Sequence, residues 1–231
     1  LEDLFPSDFE SGRETAFDER KKRVVETVFV RYRDLAIEAK ENLDVDLDAA
    51  AEALASLVKE GKAKLDKWDA VVDSFINRVQ FLASQYPEYE ISPFDEDSRA
   101  LLVEQCCHGA KSVRDLKRQE VLKHVKTWFG VEVERLVESE APERLKLMNG
   151  RTARIRYEAG ERPVLSAKIQ ELYDLDTTPT LCQGRCRPMI ELLGPNRRPV
   201  LLTDNLEAFW TTSYPNIKKD LKGRYPKHEW R

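Results

Sequence analysis

The sequence has few of the residues that cross-link a chain or break up its regular structure. Its 231 residues include 4 Cys, 9 Gly, 11 Pro and 3 His. Low Gly and Pro exclude collagen-like and low-complexity classes, and four Cys are too few for a disulfide scaffold, so a reducing cytoplasm is expected. Apolar runs reach only three to five residues, against the roughly 20 of a membrane span, so no membrane partner is expected.

The sequence also lacks the common catalytic motifs. It contains no G-x-x-x-x-G-K-[ST] loop for a nucleotide triphosphate, and no G-x-G-x-x-G, G-x-S-x-G or H-E-x-x-H pattern. The three histidines, His108, His124 and His228, are scattered along the chain and do not suggest a His-based acid/base site. We therefore assign no catalytic residue and no cofactor to this chain, and expect it not to be an enzyme.

The cysteines raise the question of a metal site. Cys106-Cys107-His108 is one cluster and Cys182-Gln-Gly-Arg-Cys186 is another. Thiolates and imidazoles bind zinc, but adjacent cysteines and a C-x3-C pair match the usual zinc spacings poorly. The alternative is that these thiols are small buried apolar groups. We predict no metal ligand and no required disulfide.

The charges that are present are unevenly distributed. Hydrophobic residues make up 41% of the chain and charged residues 35%, with a net charge of −4, which is typical of a folded globular protein. Residues 1–100 hold 24 acidic residues against 14 Lys and Arg, and residues 101–231 hold 18 against 24. A polyanionic partner would therefore meet the second half, although an uneven surface with no partner explains the same numbers.

The apolar pattern divides the chain into regions 1–45, 46–141 and 142–231. Residues 1–13 are acidic and predicted to be irregular. Residues 23–30 are rich in β-branched and aromatic side chains, and 35–39 follow a turn at 32–34, which predicts an antiparallel pair with Leu35, Ile37 and Ala39 on one face. In the second region the period is helical, and helices are predicted over about 47–58, 68–86, 95–107, 112–129 and 131–140.

The third region is predicted to mix helices and strands. Asn149-Gly150 lies between alternating segments, the signal of a type I′ hairpin, with Arg154 and Arg156 facing outward. A helix is predicted over 164–173. The other elements predicted here are a strand–turn–strand over 189–202 and two helices, one capped by Asp204 or Asn205 and one opened by Pro215.

The fold class that follows is α+β: an N-terminal antiparallel β segment, a helical middle and a mixed α/β C-terminal domain, for which a small barrel is one option. Inward spacing predicts that nine large side chains are mostly buried. These are Trp68, Phe75, Val79, Trp128, Phe129, Ile155, Tyr157, Phe209 and Trp210.

Basic residues concentrate near the carboxyl terminus. The last 47 residues carry ten Lys and Arg against five acidic residues, with Tyr225 and Trp230 among them. Cations neutralise phosphates and rings stack on unpaired bases, but solvated cations and rings that pack on the domain itself are the alternatives. The candidate nucleic-acid-binding residues are Arg197, Arg198, Lys218, Lys219, Lys222, Arg224 and Lys227.

Three stretches resemble a known family. They are 173–180 (Tyr-Asp-Leu-Asp-Thr-Thr-Pro-Thr), 192–210 and 213–230, the last closing on Arg-Tyr-Pro-Lys-His-Glu-Trp. Over 142–231 the sequence resembles the C-terminal region of bacterial HrpB proteins, which are ATP-dependent helicases of the DEAH/DExH type. Over 15–140 the resemblance is looser and rests on the order of a β pair followed by helices.

The resemblance implies a longer parent chain in which two RecA-like motor domains hold ATP and magnesium. A winged helix, a helical bundle and an OB-like part would precede this region, and 14–41 would be the last strands of the OB-like part. The partners implied are RNA or another nucleic acid and the helicase core of the same parent chain. The family has small or aliphatic residues at Cys182 and Cys186, which argues against ligands there. A protein–protein interaction module without nucleic-acid binding is the alternative.

Overall fold

The computed structural model describes residues 9–42 and 44–231. The chain forms two compact units. One consists of the described residues up to Val72 together with Phe94–Trp128, and the other of Asp73–Pro93 together with Phe129–Arg231. Each unit contains one β-sheet and is built from two separate pieces of sequence. The predicted domain boundaries at 45 and 141 stay a prediction.

The sheet of the first unit is antiparallel, with strand order β1-β2-β3. Pairing of β2 with β3 confirms the predicted antiparallel pair. Residues 9–13 are strand rather than irregular, because β1 pairs with β2 along its whole length, from Phe9↔Tyr32 to Asp18↔Arg23. Residues 1–8 of that prediction lie outside the described residues. The strands are β1 (Phe9–Asp18), β2 (Arg23–Tyr32) and β3 (Leu35–Asn42).

The sheet of the first unit has a covered part and an exposed part. Val24 is fully buried and Phe29 is 8% exposed. The three alternating residues of β3 that were predicted to share a face are all exposed, with Leu35 at 68% and Ile37 at 56%. Apolar side chains on β3 therefore face solvent in this unit.

Three helices of the first unit begin after residues whose side chains cap them, namely Asp46, Asp95 and Ser112. Asp46 accepts hydrogen bonds from the amides of Asp48 and Ala49 at 3.1 and 2.9 Å, as expected for an N-cap. The single helix predicted over 112–129 is wrong. Two helices, Val113–Leu116 and Val121–Phe129, replace it, and in the turn between them the Gln119 amide donates to the Leu116 carbonyl at 3.2 Å. The helices are α1 (Leu47–Lys59), α3 (Glu96–Cys107), α4 (Val113–Leu116) and α5 (Val121–Phe129), with α2 (Ala70–Gln85) beginning in this unit and continuing into the second.

The sheet of the second unit is open and mixed. Its order is β4-β5-β6-β7-β8, in which β6 and β7 are parallel and the other neighbours antiparallel. The small-barrel option is wrong, because β4 and β8 are the two ends of this sheet and do not pair with each other. The elements are α6 (Val131–Glu140), β4 (Arg144–Lys146), β5 (Thr152–Arg156), β6 (Val164–Lys168), β7 (Met189–Leu193), β8 (Pro199–Thr203), α7 (Leu206–Ala208) and α8 (Tyr214–Arg224).

The helix predicted over 164–173 is also wrong. Val164–Lys168 is a strand between β5 and β7, and only Ile169–Glu171 forms a single 3-10 turn. Leu165 and Ala167 are buried while Ser166 between them is half-buried, an alternation of period two. Pairing on both sides outweighs the local helical preference of this segment.

The β4–β5 connection differs from the predicted turn. The last pair is Lys146↔Thr152, so five residues connect the strands rather than two. Gly150 has a φ of +79°, but Asn149 does not have the positive φ that a type I′ turn requires at both positions. Instead the Asn149 side-chain amide donates to the carbonyl oxygens of Glu171 and Tyr173, at 3.1 and 2.8 Å.

The predicted core is confirmed in its centre. Phe75, Val79, Ile155, Tyr157 and Phe209 are each 5% exposed or less. The other four predicted side chains are only half-buried: Trp68, Trp128, Phe129 and Trp210. No helix in the described part of the chain combines the length and apolarity needed to cross a membrane.

Candidate nucleic-acid interface

The predicted basic residues fall on two elements of the second unit. Arg197 and Arg198 lie in the turn between β7 and β8, where both are exposed. The turn is closed by hydrogen bonds between the backbones of Gly194 and Arg197 and of Gly194 and Arg198, each 2.9 Å long. A tight turn of this kind holds both arginines at the end of the hairpin.

Helix α8 carries the second group of basic residues. Tyr214 and Leu221 are buried, so the helix turns Lys219 and Lys222 toward solvent. Lys218 is half-buried, and its Nζ donates to the Arg231 carbonyl at 2.6 Å. Lys218 is therefore held by the protein's own backbone. The remaining predicted cations of this group, Arg224 and Lys227, are exposed.

The aromatic residues near the carboxyl terminus are engaged within the second unit. The Trp230 indole donates to the Tyr225 carbonyl at 3.0 Å, and the Tyr173 hydroxyl donates to the Glu229 carbonyl at 3.2 Å. Tyr173 and Tyr214 share a hydrogen bond of 2.7 Å, and burial followed by this bond raises the pKa of Tyr214. These contacts favour rings that anchor the final segment over rings free to stack on bases.

A further basic group on the outer face of the five-stranded sheet was not predicted as a site. Arg197 joins residues of β4, β5 and β6 around an open pocket of about 460 Å³. None of the predicted cations on or after α8 lines it. The lining residues are Arg144, Thr152, Arg154, Arg156, Ser166, Lys168, Glu171, Leu193 and Arg197, which we call the sheet-face pocket.

Strand pairing places these cations side by side. Ala153 and Ile155 point into the core at 2% and 3% exposure, so Arg154 and Arg156 point outward, as predicted. Arg154 lies directly opposite Arg144 on β4. The outward direction could be predicted from alternation, but the neighbours could not, because they depend on the register of β4 and β6.

The cysteine clusters show no sign of reactivity. Burial raises the pKa of Cys106 and of Cys182 to about 12, so both are neutral thiols at ordinary pH. The Cys182 thiol donates to the Glu140 carbonyl at 3.4 Å. Within residues 9–42 and 44–231 no three His, Cys, Asp or Glu side chains are grouped so as to hold a metal ion.

Comparisons with known proteins support the resemblance of the sequence to the C-terminal region of HrpB proteins. The family model HrpB_C, described as ATP-dependent helicase C-terminal, matches residues 102–231. The ATP-dependent RNA helicase HrpB of Escherichia coli (strain K12) is 29% identical over 187 residues, 79% of this chain and 23% of that protein. The chain thus spans under a quarter of the length of this curated relative.

The fold is similar to that of two solved structures. A crystal structure of E. coli DExH-box NTPase HrpB gives a TM-score of 0.74 and covers 100% of this chain, and one of Escherichia coli DEAH/RHA helicase HrpB gives 0.67 and covers 96%. Each is 24% identical in sequence, and the match takes in 29% of each solved chain. Because the family model covers more than half of its residues, this chain belongs to the family of HrpB-type C-terminal regions of ATP-dependent helicases.

Proposed function

We propose that this chain is the accessory C-terminal region of a cytoplasmic ATP-dependent RNA helicase and binds the phosphate backbone of a nucleic acid. The family match carries the proposal, together with the name of the E. coli relative. ATP and magnesium belong to motor domains of the parent protein, and this chain alone hydrolyses no ATP and needs no cofactor or metal. Its partners are RNA or another nucleic acid and the helicase core of its own parent chain.

Exposed cations support backbone binding. Lys219, Lys222 and Arg224 follow one another closely on α8, and all three are exposed. Exposed lysines and arginines bind phosphate oxygens without reading bases, so the affinity should be largely independent of sequence. Each phosphate engaged on a single strand should add about −0.7 to the slope of log affinity against log salt.

A titration with single-stranded RNA at several salt concentrations tests this function. The variant is Lys219→Ala with Lys222→Ala, and Lys218 is kept because its Nζ is bound to the Arg231 carbonyl. The matched control is Lys64→Ala with Lys123→Ala, two exposed lysines of the first unit.

The α8 variant should reduce the slope by up to about 1.4, with wild-type folding, and the control should leave it unchanged. If the variant and the wild type had the same slope of log affinity against log salt, the α8 cations would not be part of the interface. A wild-type chain that binds no RNA at low salt would refute backbone binding altogether.

Docking onto a protein partner is the second candidate function. Leu35 and Ile37, 68% and 56% exposed on β3, favour it, since apolar residues on a sheet face suit a protein partner better than a phosphate. Binding of the separately purified motor domains to the wild-type chain, and its loss in Leu35→Ser with Ile37→Ser, is the expected result. Retained binding in that variant would exclude β3 as the docking surface.

A further inference from the structure

We infer that the sheet-face pocket is a binding site for the phosphodiester backbone of a single nucleic-acid strand, separate from the cations of α8. The inference rests on the proposed function and adds the location of a binding site for the backbone. Five of the nine lining residues are cationic: Arg144, Arg154, Arg156, Lys168 and Arg197. Among these nine described residues, Glu171 is the single acidic one.

The positive charge of the pocket is largely uncompensated. Within the described residues, no carboxylate lies within ion-pair distance of Arg144, Arg154 or Arg197, and Arg156 alone of the four arginines pairs, with Glu158 at 2.7 Å. Glu171 accepts from the backbone amide of Lys168 at 2.9 Å, and its single negative charge offsets only one of the five positive charges that line the pocket. An anion entering the pocket would therefore meet guanidinium groups with free donors.

The strand register makes this arrangement unfavourable in the absence of an anion. Arg144 and Arg154 are directly opposed across β4 and β5, and like charges opposed in this way destabilise a sheet. The row continues through Ser166 of β6 to Glu191 of β7, and the Ser166 hydroxyl donates to the Glu191 carboxylate at 2.6 Å, so this carboxylate is bound to Ser166 rather than to an arginine. A bound phosphate would relieve the repulsion between the two arginines.

The shape and composition of the pocket favour a strand of phosphates. The cations come from three strands and a turn and line an open surface, so successive phosphates can each reach a separate side chain. Guanidinium forks match phosphate oxygens in a bidentate way. None of the nine lining residues is aromatic, so these residues provide no ring on which a base could stack. Recognition should therefore depend on the backbone of the nucleic acid alone.

The test compares the 231-residue chain with Arg144→Ala plus Arg154→Ala. Arg114→Ala plus Arg118→Ala, two exposed arginines of the first unit, is the matched control. The probes are oligo-U RNA, oligo-dT DNA and inorganic phosphate, each titrated at several salt concentrations, with thermal unfolding measured in the absence and presence of oligo-U. A third protein, Lys219→Ala plus Lys222→Ala, reports on α8 in the same assays.

The sheet-face variant should unfold at the wild-type temperature or slightly above it without ligand, because it loses the opposed charges. Its salt slope for oligo-U should fall by up to about 1.4, and oligo-U should stabilise it less than the wild type. The control should behave as the wild type, and oligo-dT should bind with a similar slope. Inorganic phosphate should bind much more weakly than either strand.

The failures are distinguishable. If the wild type binds oligo-U and only the α8 variant loses slope, the sheet-face pocket is not the site, while the proposed function stands. If inorganic phosphate competes as well as a strand, the pocket is a site for a single phosphate and the inference is wrong. If the wild type binds no strand at low salt, both the inference and backbone binding fail together.

Discussion

Replacing Arg78 by methionine should selectively weaken the end of helix α6. Arg78 is only 4% exposed. Its Nε donates to the Ala141 carbonyl at 2.6 Å and one Nη donates to the Val137 carbonyl at 3.2 Å. Methionine preserves most of the length and apolar contact of the side chain but provides no donor, so the Ala141 carbonyl loses the donor from Arg78 and the Val137 carbonyl loses one of two donors.

The expected loss of stability depends on which carbonyl oxygen is left without a hydrogen-bond donor. The Ala141 residue is fully buried, and losing a hydrogen bond from a charged donor there costs about 1.5–3 kcal/mol. The Val137 carbonyl keeps the Ala141 amide at 3.1 Å, so its loss is smaller. The nearby Glu138 and Glu143 side chains are 62% and 55% exposed and add little. We expect a total of about 2–4 kcal/mol.

Hydrogen exchange of the α6 amides measures the local loss of stability in Arg78→Met, and urea unfolding measures the loss for the whole chain. A loss of 2–4 kcal/mol corresponds to exchange about 30- to 1,000-fold faster, if exchange occurs by the opening of this unit. Arg135→Met is the control, because Arg135 is 72% exposed and, among the residues that the structure describes, pairs with Glu132 of the same helix alone. If Arg78→Met exchanged no faster than Arg135→Met, the Ala141 carbonyl would not depend on Arg78 and the argument would be refuted.

Three other predictions concern groups in the same structure. The four cysteines should resist a thiol reagent at pH 8 until the chain is denatured, since burial raises the pKa of Cys106 to about 12; stoichiometric labelling of the folded chain, or zinc in the purified protein, would contradict this. Burial and then the hydrogen bond to Glu140 raise the pKa of Tyr86 to about 12, so the stability that the neutral Tyr86 hydroxyl contributes should be complete below about pH 10 and lost as the pH rises through 12. Tyr86→Phe should remove this pH dependence of the unfolding free energy. An alkaline stability profile that is the same in Tyr86→Phe and the wild type would contradict the prediction. Asn149→Ala should cost about 1–3 kcal/mol in thermal unfolding because two carbonyls lose a donor, while Met148→Ala, at 92% exposure, should change nothing; equal effects of the two would show that the Asn149 bonds do not matter.

Most of the helices and several strands, among them β2, β3, β7 and β8, could be predicted because their signals are local. Asp46 is an N-cap, Pro87 follows the end of α2, and residues 189–202 form the expected strand, turn and strand. The segment 164–173 could not be predicted in the same way. Its strand exists because Leu165 pairs with Ile155 on one side and with Ile190 on the other, and the local period of residues 164–173 does not reveal either pairing.

The candidate site was only partly predictable for the same reason. The excess of basic residues near the carboxyl terminus predicts Arg197 and the lysines of α8 as candidates. The spacing of these lysines in the sequence also predicts that they lie near one another on the helix. The group around the sheet-face pocket needs Arg144 opposite Arg154 and Arg197 beside β6, which depends on register and on the parallel β6–β7 pair. Alternation predicts which way a strand side chain points, but not what lies next to it.

Because the chain enters the second unit at Asp73, leaves it after Pro93 and returns at Phe129, the order of synthesis matters for folding. Phe75, Val79 and Leu82 on α2 are made before β4–β8, which form the sheet of their unit. At about 5–20 residues per second, the delay between them is on the order of 5 to 20 s on the ribosome. A shortened gene starting at residue 102, where the family match begins, would encode the sheet without these side chains and leave its core incomplete.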